Sequence, residues 1–259
     1  MIYPMNIQRQ LELVEEIVNS WKIAAIDFDH VLKWVMQFDN DDFDIPIRII
    51  KNLNVIGFEE LNDSLTVAYS KLERKARDIG TEIKPENTIF AGIGASGKSG
   101  TMITYNFRIA NNISEQNFIV DERTTRYLQE GQIQNIVLID DIISTGGTII
   151  EEVQSLTERS IPLKVENIFV LTAMGMKEGI TNIQEATKDN IHVFSAFEYD
   201  VHDTVSSLDA KFYDGIPYQD RSKIREQLEY YGGQLYSRGA LGEGNMGGLL
   251  VFYYNNFWC

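Results

Sequence analysis

Two adjacent carboxylates, Asp140 and Asp141, close the aliphatic run Ile136-Val137-Leu138-Ile139. After Ile142-Ile143 comes Ser144-Thr145-Gly146-Gly147-Thr148, and a helical pattern starts near Ile149-Ile150-Glu151-Glu152. The order is that of a buried strand, a short turn and a helix N-terminus. Such a turn offers backbone N–H groups, hydroxyls and a helix dipole to a phosphate group. The two acids suit the hydroxyls of a ribose, or a hydrated Mg²⁺ held directly or through water. Adjacent carboxylates at a buried strand end are costly unless they bind something. The plain alternative is a parallel strand with a glycine-rich turn.

A second segment competes. Gly92-Ile93-Gly94-Ala95-Ser96-Gly97-Lys98-Ser99 fits the phosphate-loop pattern G-x-x-x-x-G-K-[ST]. Ile136–Asp141 would then be the acid-ended strand that a nucleotide hydrolase also needs. Such a hydrolase has no use for a complete second phosphate loop at 144–148, and a ligand with phosphates at two ends does. A third segment, Ala24-Ala25-Ile26-Asp27-Phe28-Asp29-His30-Val31, mimics the D-x-D opening of haloacid-dehalogenase phosphatases. Its continuation, Leu32 to Phe38, has helical rather than strand period, so these acids are expected on a solvated helix.

All thirteen positions from Ile136 to Thr148 resemble the phosphoribosyl-diphosphate (PRPP) signature of type I phosphoribosyltransferases. The resemblance implies that family's core, a parallel sheet with helices on both faces. It implies catalytic roles for Asp140, Asp141 and Lys98. Ser144, Thr145, Gly146, Gly147 and Thr148 would hold the ligand's 5′-phosphate. Ala95, Ser96, Gly97 and Ser99 would cradle the diphosphate. Mg²⁺ would be the cofactor, with Asp140 and Asp141 as its ligands, directly or through water. Arg123 and Arg126, in the polar stretch 121–133, stand where a mobile loop would close on the diphosphate, and are equally read as solvated surface arginines. Met174, Lys177, Phe197 and Tyr199 are the positions suggested for the base.

The flanks narrow the resemblance. Trp34-Val35-Met36-Gln37-Phe38, Gly94–Gly100, Leu241-Gly242 and the tail Tyr254-Asn255-Asn256-Phe257-Trp258 are similar to phosphoribosyltransferase-like proteins of bacterial conflict and anti-phage loci, some of them partners of retron reverse transcriptases. The tail lacks a Thr-Pro-Asn segment expected there, which leaves its role open. Core packing is the competing explanation for Trp34, Phe38 and Trp258. Two functional classes remain at this level. One is an enzyme moving phosphoribosyl to or from a base, with a protein partner such as a reverse transcriptase complex. The other is a module that senses PRPP or a nucleotide and acts through a partner.

Composition sets outer bounds. The chain has 259 residues, a net charge of −15 and 44% hydrophobic residues, so it can bury a substantial core. An acidic surface disfavours general nucleic-acid binding. No apolar run is long enough to span a membrane, and Met1-Ile2-Tyr3-Pro4 does not open like a secretory signal. The single cysteine, Cys259, leaves no partner for an internal disulfide, which suits a cytoplasmic setting. Three scattered histidines give no zinc-ligand spacing.

The elements that must position these residues can be outlined. Residues 1–86 read as a helical extension, including a long helix from Phe58 to Ile79 stopped by Gly80, with no parallel-sheet unit. Residues 87–200 read as the α/β core. Its strands are expected at Thr88–Ile93, Phe118–Val120, the signature, Val165–Leu171 and Ile191–Phe194. Helices are expected at 101–110, after the signature to Arg159, and at 177–188. Residues 201–259 read as a small α+β part packed on the core. It has a helix from Ser222 to Tyr231 that Gly232-Gly233 stops, and a late strand within Leu249–Tyr254. Ligands of such parallel sheets sit at the carboxyl ends of the strands, where both glycine-rich loops fall.

Overall fold

The structure is a computed structural model, and it describes residues 7–23, 26–94, 99–118, 126–128, 130–157, 164–187, 190–236 and 238–254. The chain packs as two compact units, one of residues 62–199 and one combining 1–61 with 200–259. The divide near residue 61 falls inside a helix, not at the boundary of 86/87 drawn from the sequence.

The 62–199 unit is built on four parallel strands: β2 (Thr88–Gly92), β3 (Asn135–Ile143), β4 (Asn167–Met176) and β5 (Ile191–Tyr199), in that spatial order. Three helices follow the first three of these strands: α5 (Ser99–Ala110), α6 (Gly147–Thr157) and α7 (Lys177–Ala186). β3 and β4 are buried along most of their length because both faces of the sheet are covered there, whereas the edge strand β5 is exposed at Phe197 and Glu198. On one face Ile89, Ile136, Leu138, Ile168 and Val170 form a core with Ile149 and Val153 of α6 and Ile183 of α7. Successive strand residues point to opposite faces, so Phe90 turns the other way. Its ring meets Phe107 of α5 and Tyr69 of α4 (Phe58–Asp78) at 5.7 and 6.1 Å. α4 buries Leu65, Ala68, Leu72 and Ala76, an i/i+3/i+4 stripe, and the chain turns at Gly80 with φ +79°. Lys71 on α4 donates to the Ser195 and Ala196 carbonyls of the edge strand β5 at 2.8 and 2.9 Å.

The other unit contains α1 (Ile7–Trp21), α2 (Phe28–Val35), α3 (Asp44–Asn52), β1 (Asn54–Ile56), α8 (Tyr218–Leu235) and β6 (Leu250–Phe252). Val14, Val18, Val31, Val35, Ile47 and Ile50 pack α1, α2 and α3 together. Trp34 and Phe38 pack edge to face at 5.1 Å, as core packing predicts. Asp27 is the N-cap of α2, its carboxylate accepting from the His30 N–H at 2.9 Å. The acids of the phosphatase-like segment therefore open a helix, as its period implied.

Several elements differ from expectation. β1 pairs in parallel with β6, so the N-terminal region does carry a sheet strand. Three residues show no period, and the partner lies at the far end of the chain. α8 runs through Gly232-Gly233 to Leu235. A side chain at Gly232 would collide with the Ala240 carbonyl, so this glycine serves a close approach and does not end the helix. Phe118 closes a 3₁₀ turn, Glu115–Phe118, with its ring stacked on Phe90 at 5.2 Å, where a strand was expected. Ile119 and Val120 lie outside the described residues. β4 and β5 both continue past their expected ends, to Met176 and Tyr199. No described helix is long and apolar enough to cross a membrane.

Candidate functional site

The carboxyl ends of β2, β3 and β4 gather the chemistry-bearing segments. β2 ends at Gly92, opposite Ile139, and β3 continues through Asp140 to Ile143 alongside β4. The two acids are therefore strand residues just beyond the end of a neighbouring strand. Asp140 is partly exposed and its Oδ1 accepts from the Asp141 N–H at 2.9 Å. Asp141 is buried, at 8% exposure, and its Oδ1 accepts from the Ile142 N–H at 2.8 Å. Both carboxylates thus hold the local backbone, and Asp140 is the more accessible to a ligand.

The turn after β3 has two glycines with different reasons to be glycine. Gly146 has φ +85°, and a Cβ there would stand 2.7 Å from the Gly179 carbonyl and 2.8 Å from Ile183 Cγ1. Conformation and packing both exclude a side chain. Gly147 is exposed, has no positive φ, and a Cβ on it would meet only Thr145 Oγ1, at 3.7 Å. Nothing in the fold demands its bareness. It is the first residue of α6, and Ile150 N–H donates to the Gly146 carbonyl at 3.0 Å, so the N–H groups of the first turn point out of the helix end. Thr148 is exposed beside it, while Ser144 and Thr145 are partly exposed. The Gly147 N–H donates to Thr145 Oγ1 at a long 3.5 Å, so the turn sets exposed N–H groups and a hydroxyl at the positive end of an eleven-residue helix, an arrangement that suits an anion.

Two residues not singled out in the sequence shape this turn. Gly179, in the first turn of α7, has no room for a side chain against the Ser144 carbonyl. Asn182, one turn further, donates from Nδ2 to the Thr145 carbonyl at 3.1 Å. A glycine inside a helix costs about 1 kcal/mol relative to alanine, and that cost at Gly179 was the available signal.

At the other glycine-rich loop, the described residues are its two ends. Gly94 has φ +93°. A side chain at Gly100 would collide with the Ile93 carbonyl, and one at Gly92 would stand 2.7 Å from the Gly100 carbonyl. Thr104 Oγ1 donates to that same Gly100 carbonyl at 2.5 Å. The end of β2 and the start of α5 therefore meet backbone to backbone. Ala95, Ser96, Gly97 and Lys98 lie outside the described residues, as does the side chain of Ser99, which opens α5.

The remaining candidates scatter. Arg126 is exposed, 3.9 Å from Glu130 and over the Tyr127 ring, and Arg123 lies outside the described residues. Met174 belongs to β4 and is fully buried, so it is not part of a loop that could grip a base. Lys177 starts α7 and is exposed, Phe197 is 51% exposed on β5, and Tyr199 ends that strand. Trp258 lies outside the described residues. Among the described residues no three His, Cys, Asp or Glu side chains gather into a metal-holding group. Two neighbouring acids still fit Mg²⁺, which keeps waters and completes its shell with substrate phosphates.

No curated protein matches the chain. A family comparison does match, over residues 31–256, which include the whole sheet, both glycine-rich loops and β6. With the parallel α/β core and the turn at 144–148 in place, the chain belongs to the PRTase-CE family of phosphoribosyltransferase-like proteins.

Proposed function

We propose that the chain binds PRPP or a nucleotide together with Mg²⁺ at the carboxyl edge of its parallel sheet, and transfers phosphoribosyl to or from a base. The observation that carries this reading is Gly147, which is exposed and bare at a helix start where the fold has room for a side chain. In this reading the amides of 145–148 take the 5′-phosphate and the Asp140 carboxylate orients the ribose hydroxyls. The loop over 95–99, with Lys98, meets the diphosphate. Transfer puts positive charge on the sugar ring and negative charge on the departing diphosphate. Carboxylates below the ring and amides around the phosphates stabilise that separation. Mg²⁺ bound with the diphosphate would neutralise part of the leaving group's charge. The resemblance of the flanks supports a wider role as an effector in a retron-type anti-phage system, in the bacterial cytoplasm, with a protein partner such as a reverse transcriptase complex.

Calorimetric titration with PRPP and Mg²⁺ tests the site. Gly147→Val is expected to lower affinity at least about tenfold, the factor set by 1.4 kcal/mol of lost interaction, with little change in melting temperature. Gly146→Ala, which strains the turn itself, is the stability comparator and is expected to melt lower. Equal PRPP affinity in wild type and Gly147→Val sinks the proposal. Incubation of the wild type with PRPP and a panel of bases then separates the two classes: binding without turnover identifies a sensing module. Steady ATP hydrolysis that vanishes in Lys98→Ala would instead select the nucleotide hydrolase.

A further inference from the structure

α7 touches the phosphate turn in a way that ordinary helix packing does not require. Its first turn carries Gly179, where any side chain would collide with the Ser144 carbonyl. Ile183 lies under Gly146, so close that a methyl there would stand 2.8 Å away. Between them Asn182 Nδ2 donates to the Thr145 carbonyl at 3.1 Å. The three residues fall at i, i+3 and i+4 and share one face of the helix. A carbonyl and an N–H of one peptide unit point in opposite directions. Holding the Thr145 carbonyl toward α7 therefore turns the Gly146 N–H of the same peptide away from α7. Gly146 has φ +85°, an unfavourable conformation for most residues, and a turn of two glycines has few barriers of its own.

We infer that Asn182 is a positioning residue: by holding the Thr145 carbonyl it fixes the peptide that carries the Gly146 N–H, and with it the turn that receives a phosphate. The inference rests on the proposed phosphate site at 144–148 and adds the element that shapes it. It assigns α7 a task beyond covering the sheet. It also accounts for a glycine in the first turn of that helix, because only a bare position lets the helix approach the turn closely enough for the Asn182 hydrogen bond. An amide that must reorient on binding costs affinity, and one already oriented does not.

The test uses the full chain and ribose 5-phosphate, which carries the 5′-phosphate and no diphosphate. Asn182→Leu keeps the volume and removes the donor. Asn182→Gln keeps a donor on a longer stem. The expected result is a loss of affinity of about five- to tenfold in the Leu variant, the worth of one hydrogen bond, and partial recovery in the Gln variant. In ¹⁵N-glycine spectra of the free protein, Asn182→Asp, which has the same shape and no donor, is expected to move the Gly146 and Gly147 amide resonances and leave those of Gly92 and Gly232 in place. A purely structural role would lower stability without changing ligand affinity per folded molecule or singling out these two amides. Wild-type affinity in the Leu variant, or unmoved Gly146 and Gly147 resonances in the Asp variant, overturns the inference. A wild type that does not bind ribose 5-phosphate overturns the phosphate site itself, which distinguishes the two failures.

Discussion

Asp140 and Asp141 are neighbours in sequence and unequal in the structure. Asp141 is buried at 8% exposure and accepts from the Ile142 N–H, so its carboxylate is part of how the end of β3 is held. Asp140 is partly exposed and accepts from the Asp141 N–H. The two should therefore respond differently to substitution. Asp140→Asn retains a side-chain oxygen for the backbone and removes the charge. It is expected to weaken PRPP binding while shifting the melting temperature by little. Asp141→Ala leaves the Ile142 N–H without that acceptor and is expected to cost about 1–3 kcal/mol of stability, the usual penalty for an unmet buried donor. Denaturant unfolding measures the second, and calorimetry on folded protein measures the first. A large stability loss in Asp140→Asn with unchanged affinity would assign Asp140 to structure alone.

At the scale of elements, β5 shows how an edge strand is managed. Lys71 covers two of its carbonyls, and Thr172 and Ser195 hydroxyls pair at 2.8 Å where β4 meets it. The same strand carries His192, whose ring lies 5.3 Å from that of Phe169. Burial holds the His192 pKa below its ordinary value, and the nearby Lys75 ammonium pushes the same way. The imidazole is thus neutral in the folded chain at pH values where the unfolded chain already binds a proton. The unfolded state takes up more protons in that window, so stability rises with pH across it and is lost as pH falls below about 6.5. Melting temperatures measured from about pH 5 to 7.5 should climb more steeply in the wild type than in His192→Gln. Parallel curves would show that His192 contributes nothing to the pH dependence.

The molecule as a whole divides in an order that the chain does not suggest. Residues 1–61 and 200–259 form one unit, stitched by β1 pairing with β6 and by a core of Ile45 with Val205, Phe212, Tyr213 and Leu228. Arg48 donates to the Phe212 carbonyl at 2.8 Å, and the Tyr231 hydroxyl donates to Asp42 at 2.8 Å. The N-terminal helices therefore depend on residues from the end of the chain. A chain ending at residue 199 keeps every strand of the larger sheet and loses half of the other unit. It is expected to show rapid proteolysis within residues 7–56 while the 62–199 region resists, as read by mass spectrometry of the fragments. Protection of the N-terminal helices in that truncated chain would show that they fold without the C-terminal segment.

What the sequence by itself determined is local. The aliphatic runs of β2 and β3, the helix stripe of α4 and the turn at 144–148 are written in contiguous residues. Their periods and glycines can be read without knowing any partner. That the core is a parallel sheet covered by helices also follows from the alternation of strand and helix patterns, whereas the order of its strands does not. What only the tertiary structure decided depends on residues far apart. β1 is too short to show a period and exists because β6 pairs with it. Gly232 sits inside a helix because the Ala240 carbonyl approaches there, and Met174 is core because β4 runs on to Met176. The same holds within the site. Gly146 and Gly147 are identical letters, and only the contacts of Gly179 and Ile183 show that one is bare for packing and the other without any structural need. A sequence records which backbone conformations are allowed, whereas what a bare position faces is set by segments that arrive on folding.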